Sequence, residues 1–145
     1  MPNQNMAGSD IKEPRFPLPD TKLALIVGSS RVNQIVVAKI AERAGLKVLS
    51  ESPDKARLVL PAKEPGFVII DAGSDEKEWE HLLTPLAERR RERAQKLPYV
   101  IILCTSPHCP RAADNDTIFD AVVVKPITPE RLQPVIESLL VRISD

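Results

Sequence analysis

The sequence predicts a doubly wound α/β domain, and three observations support this fold class. Five short runs rich in apolar residues recur at 23–27, 46–49, 67–70, 99–103 and 121–124. Segments with helical periodicity follow most of them, and such an alternation is typical of a parallel sheet with helices on both faces. The chain of 145 residues is 43% hydrophobic and 28% charged, which is the balance of one globular domain.

Composition and charge exclude several classes of protein. The 20 basic and 20 acidic residues give a net charge of zero, which argues against a broad basic face for duplex DNA. No apolar run approaches the roughly 20 residues that span a bilayer, and the N-terminus lacks the apolar segment of a secretory signal. We therefore expect a cytoplasmic protein that binds neither DNA nor a membrane.

The first 20 residues differ in composition from the rest of the chain. They contain four prolines among Asn, Gln, Ser and Asp, and such a segment buries too little apolar surface to offset the entropy of ordering. We expect residues 1–20 to be a flexible N-terminal tail or linker and residues 21–145 to form the domain.

The first predicted strand, 23–27, leads into a predicted helix. Ser29 or Ser30 is the expected N-cap, and Gly45 stands where a helix often ends. The apolar side chains at helical spacing that we expect to face the core are Val32, Ile35, Val36, Ile40 and Ala44. The second strand, 46–49, carries a lysine and is expected to be more exposed.

The next part of the chain predicts a short helix and a buried strand. The helix covers 53–63, and the dipeptide Pro65-Gly66 that follows is typical of a turn. The apolar run 67–70 then forms the third strand, which ends at Asp71.

A longer helical pattern covers 75–96. Pro85 lies inside this pattern, and we expect it to break or kink the helix. The predicted apolar face consists of Trp79, Leu82, Leu83 and Leu86. The run ERRRER at 88–93 mixes both signs of charge and predicts a solvated face. The alternative is a docking patch for an acidic partner or for a phosphate-bearing ligand.

The C-terminal part predicts two strands and one helix. The strands are 99–103 and 121–124, and the segment 107–118 between them is poor in helix signals. Thr128 is the expected N-cap of the last helix, in which Pro134 should produce a bend. The predicted apolar stripe of this helix is Leu132, Val135, Ile136, Leu139 and Leu140.

The residues that follow the predicted strands are the candidates for a functional site, because open α/β sheets bind ligands beyond the carboxyl ends of their strands. Gly28 and Ser29 follow the first strand, Asp71 the third, Thr105 the fourth and Lys125 the fifth. The Asp71 carboxylate is a candidate nucleophile. The Thr105 hydroxyl and the Lys125 ammonium would hold the oxygens of a transferred phosphoryl group.

Over residues 22–143 the chain resembles the receiver domains of two-component signalling, which have a CheY-like, flavodoxin-like (βα)5 fold. The resemblance implies a central parallel five-stranded sheet in the order 2-1-3-4-5. Asp71 matches the phospho-accepting aspartate, Thr105 the hydroxyl residue, and Lys125-Pro126 the Lys-Pro pair of that family. The stretch SRVNQIVVAKIAERAGLKV is similar to the first helix of receivers in hybrid histidine kinases.

Two departures from that family concern the chemistry of the site. Receivers carry two adjacent acidic residues after the first strand, which hold Mg²⁺, and this chain has Gly28 and Ser29 there. Because Mg²⁺ binds through carboxylates and water, we expect no cofactor and weak Mg²⁺ binding at most. The aromatic residue that rotates on phosphorylation is replaced by Val122. The chain therefore resembles a degenerate receiver, or pseudo-receiver.

This resemblance implies a regulatory module that binds other proteins and is not an enzyme. The implied partner is a histidine kinase, a neighbouring receiver or an output domain, and the implied surface is 121–143, with self-association there as a further option. One alternative is a working phospho-receiver that accepts a phosphoryl group at Asp71. Another is a receiver-fold sensor that binds a phosphorylated small molecule such as a cyclic dinucleotide.

The two cysteines, Cys104 and Cys109, are too few for a disulfide framework. Together with His108 they lie close in sequence, as metal ligands often do. A structural zinc site needs four ligands, however, and no fourth candidate is near. We therefore expect no metal site and interpret Cys104 as a small core residue at the end of a strand.

Overall fold

A computed structural model describes residues 18–73, 77–93, 97–106, 109–110 and 118–144. Most of the predicted tail and most of the segment 107–118 lie outside these ranges. The five strands are β1 (Asp20–Val27), β2 (Lys47–Glu51), β3 (Pro65–Asp71), β4 (Tyr99–Cys104) and β5 (Ala121–Val124).

The strands form one parallel sheet in the order β2-β1-β3-β4-β5, which confirms the order implied by the resemblance. In register, Ala24 pairs with Phe67 and Ile69 pairs with Ile101. Every residue of β3 and β4 is buried, because helices cover both faces of the sheet. The carboxyl ends of all five strands therefore lie along one edge, where the candidate site residues are expected.

The described helices are α1 (Arg31–Arg43), α2 (Pro53–Lys63), α3 (Lys77–Glu80), α4 (Leu83–Arg93) and α5 (Pro129–Ser144). Ser30 is the N-cap of α1, since its hydroxyl accepts the Asn33 N–H at 3.2 Å. Thr128 caps α5 in the same way, by accepting the Arg131 N–H at 3.3 Å. None of these helices is long and apolar enough to cross a membrane.

Two hydrophobic clusters form the core, one on each face of the sheet. On one face, strand residues such as Ile26 and Ile69 pack against α1 and α5, where Leu132, Ile136 and Leu139 are buried as predicted. On the other face, alternate strand residues pack against α2, α3 and α4. This arrangement follows from the period of two along a strand, which sends neighbouring side chains to opposite faces.

The predicted inner face of α1 is correct only in part: Ile40 is buried and Ala44 packs against the core, but Val32, Ile35 and Val36 are exposed. Val32 and Ile35 are 71% and 50% exposed, whereas Val37, Ile40 and Ala41 are the buried residues of the helix. Apolar side chains lie on more than one side of this helix, so their spacing along the chain does not decide which side faces the core. Packing against β1 and α5 decides the rotation of the helix about its axis.

The predicted turn at Pro65-Gly66 is also wrong, because β3 already begins at Pro65. The chain turns one residue earlier, at Glu64, which has a left-handed backbone with φ of 45°. A Cβ atom on Gly66 would lie 2.9 Å from both the Asp20 carbonyl oxygen and the Thr21 Cα. Gly66 therefore serves a close approach between β3 and β1.

The predicted long helix over 75–96 consists of two helices, α3 and α4, separated by a two-residue turn. The predicted break is confirmed, but it precedes Pro85, which lies in the first turn of α4. There the missing N–H has no partner within the helix, so the proline is tolerated. Trp79, Leu82 and Leu86 are buried, as predicted.

Two arginines of the run 88–93 are anchored inside the protein, whereas Glu88 and Arg91 are exposed, as predicted for a solvated face. Arg89 is 5% exposed, and its Nε donates a hydrogen bond to Glu64 Oε1 at 3.0 Å. Arg90 forms an ion pair with Asp120, which precedes β5. Both arginines thus connect α4 to its neighbours.

Candidate functional site at the carboxyl edge of the sheet

The structure brings Asp71 and Lys125 together at the carboxyl edge. Asp71 is the last residue of β3, and its side chain is 4% exposed. Lys125 follows β5, and its backbone N–H donates to the Cys104 carbonyl at 2.8 Å, which holds it at the end of β4. Its Nζ lies 2.6 Å from Asp71 Oδ1.

The contact between Asp71 and Lys125 is one of charge. The two groups form an ion pair, and Asp71 Oδ1 accepts no hydrogen bond from another described residue. The ammonium instead donates a hydrogen bond to the Ala72 carbonyl at 2.9 Å. A buried carboxylate requires an opposite charge nearby, and Lys125 provides it.

The second oxygen of Asp71 is bound by a residue that the sequence analysis missed. Asn33, in the first turn of α1, donates a hydrogen bond from Nδ2 to Asp71 Oδ2 at 3.0 Å. Asn33 lies on the same helical face as Val37, so it belongs to the buried side of α1. Asp71 thereby joins α1, β3 and the loop after β5.

Gly28 allows the close approach of β1 to Asp71. A Cβ atom at this position would lie 3.0 Å from Asp71 Cβ and 3.3 Å from Oδ2. Ser29, the next residue, donates its hydroxyl hydrogen bond to Glu78 in α3. Glu78 was not a predicted site residue. Its carboxylate also lies near Gly73, since a Cβ atom added to Gly73 would lie 3.3 Å from Glu78 Oε1.

The remaining predicted positions are less engaged. The Thr105 side chain is exposed directly after β4, and no hydrogen bond joins its hydroxyl to another described residue. Val122, the predicted switch position, is partly buried and packs against the cluster that contains Trp79. The structure therefore assembles Asp71 and Lys125 tightly and leaves Thr105 free of both.

Solved structures provide the comparison, since no protein-family model and no curated protein matches the chain. One match is the signal receiver domain of a signal transduction histidine kinase from Syntrophus aciditrophicus. It is 20% identical with a TM-score of 0.65, over 85% of this chain and 92% of that one. A structure described as a transiently phosphorylated "switch" in bacterial signal transduction is 17% identical with a TM-score of 0.64, over 86% and 98%.

A third match is the CheY-like response regulator receiver domain from Methylobacillus flagellatus. It is 18% identical with a TM-score of 0.60, over 83% of this chain and 99% of that one. The sheet of this chain, in the order β2-β1-β3-β4-β5, is the one expected of that fold. The chain has the CheY-like receiver fold. At this level of identity the likeness concerns the fold, and the chemistry of the site depends on the residues present.

The residues at this edge of the receiver fold do not fit a Mg²⁺ ion. Both oxygens of Asp71 already face donors, and the Lys125 ammonium beside Oδ1 would repel a second cation. Gly28 offers no ligand, and Ser29 is bonded to Glu78. Among the described residues, no group of three or more His, Cys, Asp or Glu side chains is arranged to hold a metal ion.

A disulfide between Cys104 and Cys109 lies next to the site, and the sequence analysis did not predict it. The two Cα atoms are 5.3 Å apart, within the range that a disulfide spans. Cys104 is 2% exposed, as expected of a core residue, and it ends β4. Thr105 therefore lies inside the small ring that the disulfide closes. His108 lies outside the described residues.

The missed residues differ in the signal that the sequence offered. Asn33 is the polar residue four positions before Val37, so a correct choice of the buried face of α1 identifies it. Glu78 stands in an acidic stretch with no distinguishing pattern. The separation of five residues between Cys104 and Cys109 permits a disulfide. The interpretation of Cys104 as a simple core residue did not consider this pairing.

Proposed function

We propose that this chain is a regulatory module with the receiver fold that works in two-component or phosphorelay signalling by binding another protein. The proposed partner is a histidine kinase, a neighbouring receiver or an output domain, and the proposed location is the cytoplasm. The module has no catalytic activity of its own. The observation that carries this proposal is the Asp71 carboxylate, which is held by Lys125 and Asn33, while Gly28 and Ser29 stand at the two positions where receivers carry acids.

The occupied carboxylate argues against efficient phosphorylation for two reasons. The hydrogen bond from Asn33 and the charge of Lys125 stabilise the Asp71 carboxylate and so make it a weaker nucleophile towards phosphorus. The attack would also bring a dianionic group towards a buried anion, a repulsion that a bridging metal ordinarily screens. Among the described residues, Lys125 is the cation paired with Asp71, and its single charge would have to serve both groups.

The proposed contact surface is 121–143, which comprises β5 and most of α5. Val124 and Val141 are 38% and 60% exposed, so this surface presents apolar side chains to a partner or to a second copy of the chain. Single exposed valines are common, and the proposal does not depend on them alone.

The deciding experiment records amide NMR spectra of the whole chain with Mg²⁺ and then with beryllofluoride, an analogue of an aspartyl phosphate. We expect the spectrum to stay unchanged at modest Mg²⁺ concentration, as in an Asp71→Asn control. Shifts centred on Asp71, Thr105 and Lys125 in the wild type, absent from the control, would contradict the proposal. They would establish the alternative function, a phospho-receiver.

A second experiment tests the reason for the lack of Mg²⁺ binding. Ser29 is exposed and lies beside Glu78, so Ser29→Asp adds a carboxylate at one of the positions where receivers carry an acid. We expect this variant to acquire Mg²⁺-dependent shifts that wild type and Ser29→Ala lack. Equal behaviour of all three proteins would show that the missing acid is not the cause.

The phospho-receiver remains the second candidate because Asp71, Thr105 and Lys125 follow three neighbouring strands. A sensor that binds phosphorylated small molecules through the arginine run would have to use arginines other than Arg89 and Arg90, such as the exposed Arg91. Arg89 is buried against Glu64, and Arg90 is paired with Asp120. Neither guanidinium is free to bind a phosphate bidentately, as that function requires.

A further inference from the structure

The disulfide between Cys104 and Cys109 joins two residues of unequal exposure. Cys104 is buried at the end of β4, whereas Cys109, five positions later, is half-buried. Thiol–disulfide exchange requires that a thiolate reach one of the two sulfur atoms. Cys109 Sγ is the accessible one, and Cys104 Sγ is the sulfur that leaves into the core.

The same disulfide is connected to the candidate site through the backbone. The Cys104 carbonyl accepts the Lys125 N–H at 2.8 Å, and Lys125 Nζ lies 2.6 Å from Asp71 Oδ1. Thr105 follows Cys104 directly and lies within the ring. A change at Cys104 therefore reaches Lys125 through one hydrogen bond.

The disulfide also belongs to the cluster that contains the single tryptophan of the chain. Trp79, Phe119 and Cys104 are buried members of this cluster, and Cys109 packs against it. The Trp79 and Phe119 rings meet edge to face, with centroids 5.7 Å apart. Trp79 fluorescence can therefore be used to follow the packing of the cluster to which the disulfide belongs.

We propose that Cys104 and Cys109 are a redox-active pair whose oxidation state sets the position of Lys125 and Thr105 at the carboxyl edge. The reductant is a dithiol. Its thiolate attacks Cys109 Sγ, the bond to Cys104 Sγ breaks, and a mixed disulfide forms. The second thiol then displaces Cys109, so the reductant becomes a disulfide while both cysteines take up protons as thiols. Oxidation is the reverse exchange with a disulfide oxidant.

Two features favour a redox role over a purely structural one. The ring spans a separation of five residues, and on the chain-entropy account a short ring stabilises a fold less than a long one. In addition, for a chain in the cytoplasm, the location proposed above, a disulfide is typically transient and redox-sensing. The pairing itself and its link to Lys125 do not depend on whether Asp71 is phosphorylated.

The test compares the wild-type chain equilibrated with oxidised or reduced dithiothreitol, without Mg²⁺ or beryllofluoride, so that it is independent of the phosphorylation experiment. Mass spectrometry after alkylation counts the thiols, and NMR and Trp79 fluorescence report the conformation. We expect reduction of the folded chain to yield two thiols, of which Cys109 is alkylated before the buried Cys104, to change Trp79 emission, and to shift the amides of Thr105 and Lys125.

Cys109→Ser is the matched variant, because it removes the disulfide at its more exposed end. We expect it to lose the redox response and to show the Trp79 emission of reduced wild type. Wild type that has been reduced and alkylated serves the same purpose if that variant fails to fold. A disulfide that resists dithiothreitol until the chain unfolds would overturn the proposal. Reduction that leaves the Thr105 and Lys125 amides unshifted would do so as well.

Discussion

The Asp71 carboxylate is the residue on which the packing of the carboxyl edge depends. It is nearly inaccessible to solvent, and its partners come from α1 and from the loop after β5. A buried charge that loses its partner is costly, whereas the pair itself contributes little relative to apolar residues of the same size. This asymmetry gives a direct test of the geometry.

We predict that Lys125→Met lowers the free energy of unfolding by about 3 kcal/mol, because it leaves Asp71 buried without a cation. Asp71→Asn in the same chain should restore much of the loss, since a neutral amide needs no counter-charge. Urea denaturation of the two single variants and the double variant measures the coupling. Lys39→Met, at an exposed position of α1, is the control. A loss no greater than that of the control would contradict the buried pair.

A second prediction concerns Gly28, where an added Cβ would meet Asp71 Cβ at 3.0 Å. We expect Gly28→Ala to lower stability by about 1–2 kcal/mol, because a closely packed site must shift to accept an extra methyl group. The Asn33 side-chain amide should shift in NMR spectra as its bond to Asp71 lengthens. Gly73→Ala is the matched control, because its nearest neighbour is the flexible end of Glu78. Equal effects of the two substitutions would refute the close approach.

At the scale of elements, α1 shows how a helix can be predicted while its orientation is not. Its N-cap and its length follow from Ser30 and from the residues up to Gly45. Its buried face follows from contacts with β1 and α5, which local periodicity does not contain. The outcome matters for the site, because the same rotation that exposes Val32 directs Asn33 to Asp71.

Two isoleucines of α1 provide a matched test of this orientation. Ile40 is 2% exposed and Ile35 is 50% exposed, so the same substitution removes buried side-chain atoms at only one of them. We predict that Ile40→Ala costs about 3 kcal/mol of stability and Ile35→Ala less than about 1 kcal/mol. Thermal or urea unfolding of the two variants measures the difference. A larger loss at Ile35 than at Ile40 would contradict the observed rotation of α1.

At the scale of the whole molecule, ion pairs far from the candidate site hold helices to the sheet. Asp120 accepts a hydrogen bond from the Val100 N–H at 2.7 Å and pairs with Arg90, so it ties α4 to β4 and β5. Burial raises the pKa of Asp120, and the hydrogen bond from Val100 and the charge of Arg90 only partly oppose this effect. Asp20 has the opposite shift, since a hydrogen bond from the exposed Lys47 lowers its pKa.

These opposite shifts predict opposite pH dependences. Since the folded chain holds the Asp120 proton more tightly, the contribution of Asp120 to stability is greatest below its unfolded pKa of 3.8 and falls as pH rises through its folded pKa. The contribution of Asp20 is present above 3.8 and is lost as pH falls through its lower folded pKa. Urea denaturation of wild type, Asp120→Asn and Asp20→Asn across acidic pH measures both. The stability of wild type relative to Asp120→Asn should fall with rising pH, and that relative to Asp20→Asn should rise. Slopes of the same sign would contradict the burial of Asp120.

The sequence by itself determined the five strands, most of the helices and their order along the chain. Apolar runs such as 67–70 and caps such as Ser30 and Thr128 act through neighbours in the chain, so they predict strands and helices locally. The positions after the strands also placed Asp71 and Lys125 at one edge, because all strands of a parallel sheet end on the same side.

Tertiary structure alone decided which groups meet at that edge. The rotation of α1 brings Asn33 to Asp71, and the position of α3 brings Glu78 to Ser29. The pairing of Cys104 with Cys109 is likewise a feature of the folded chain. Arg89 and Arg90 likewise turn inward, because Glu64 and Asp120 lie near them only in the folded chain. Contacts between residues distant in sequence depend on how the elements pack. The spacing of residue types along the chain does not specify that packing.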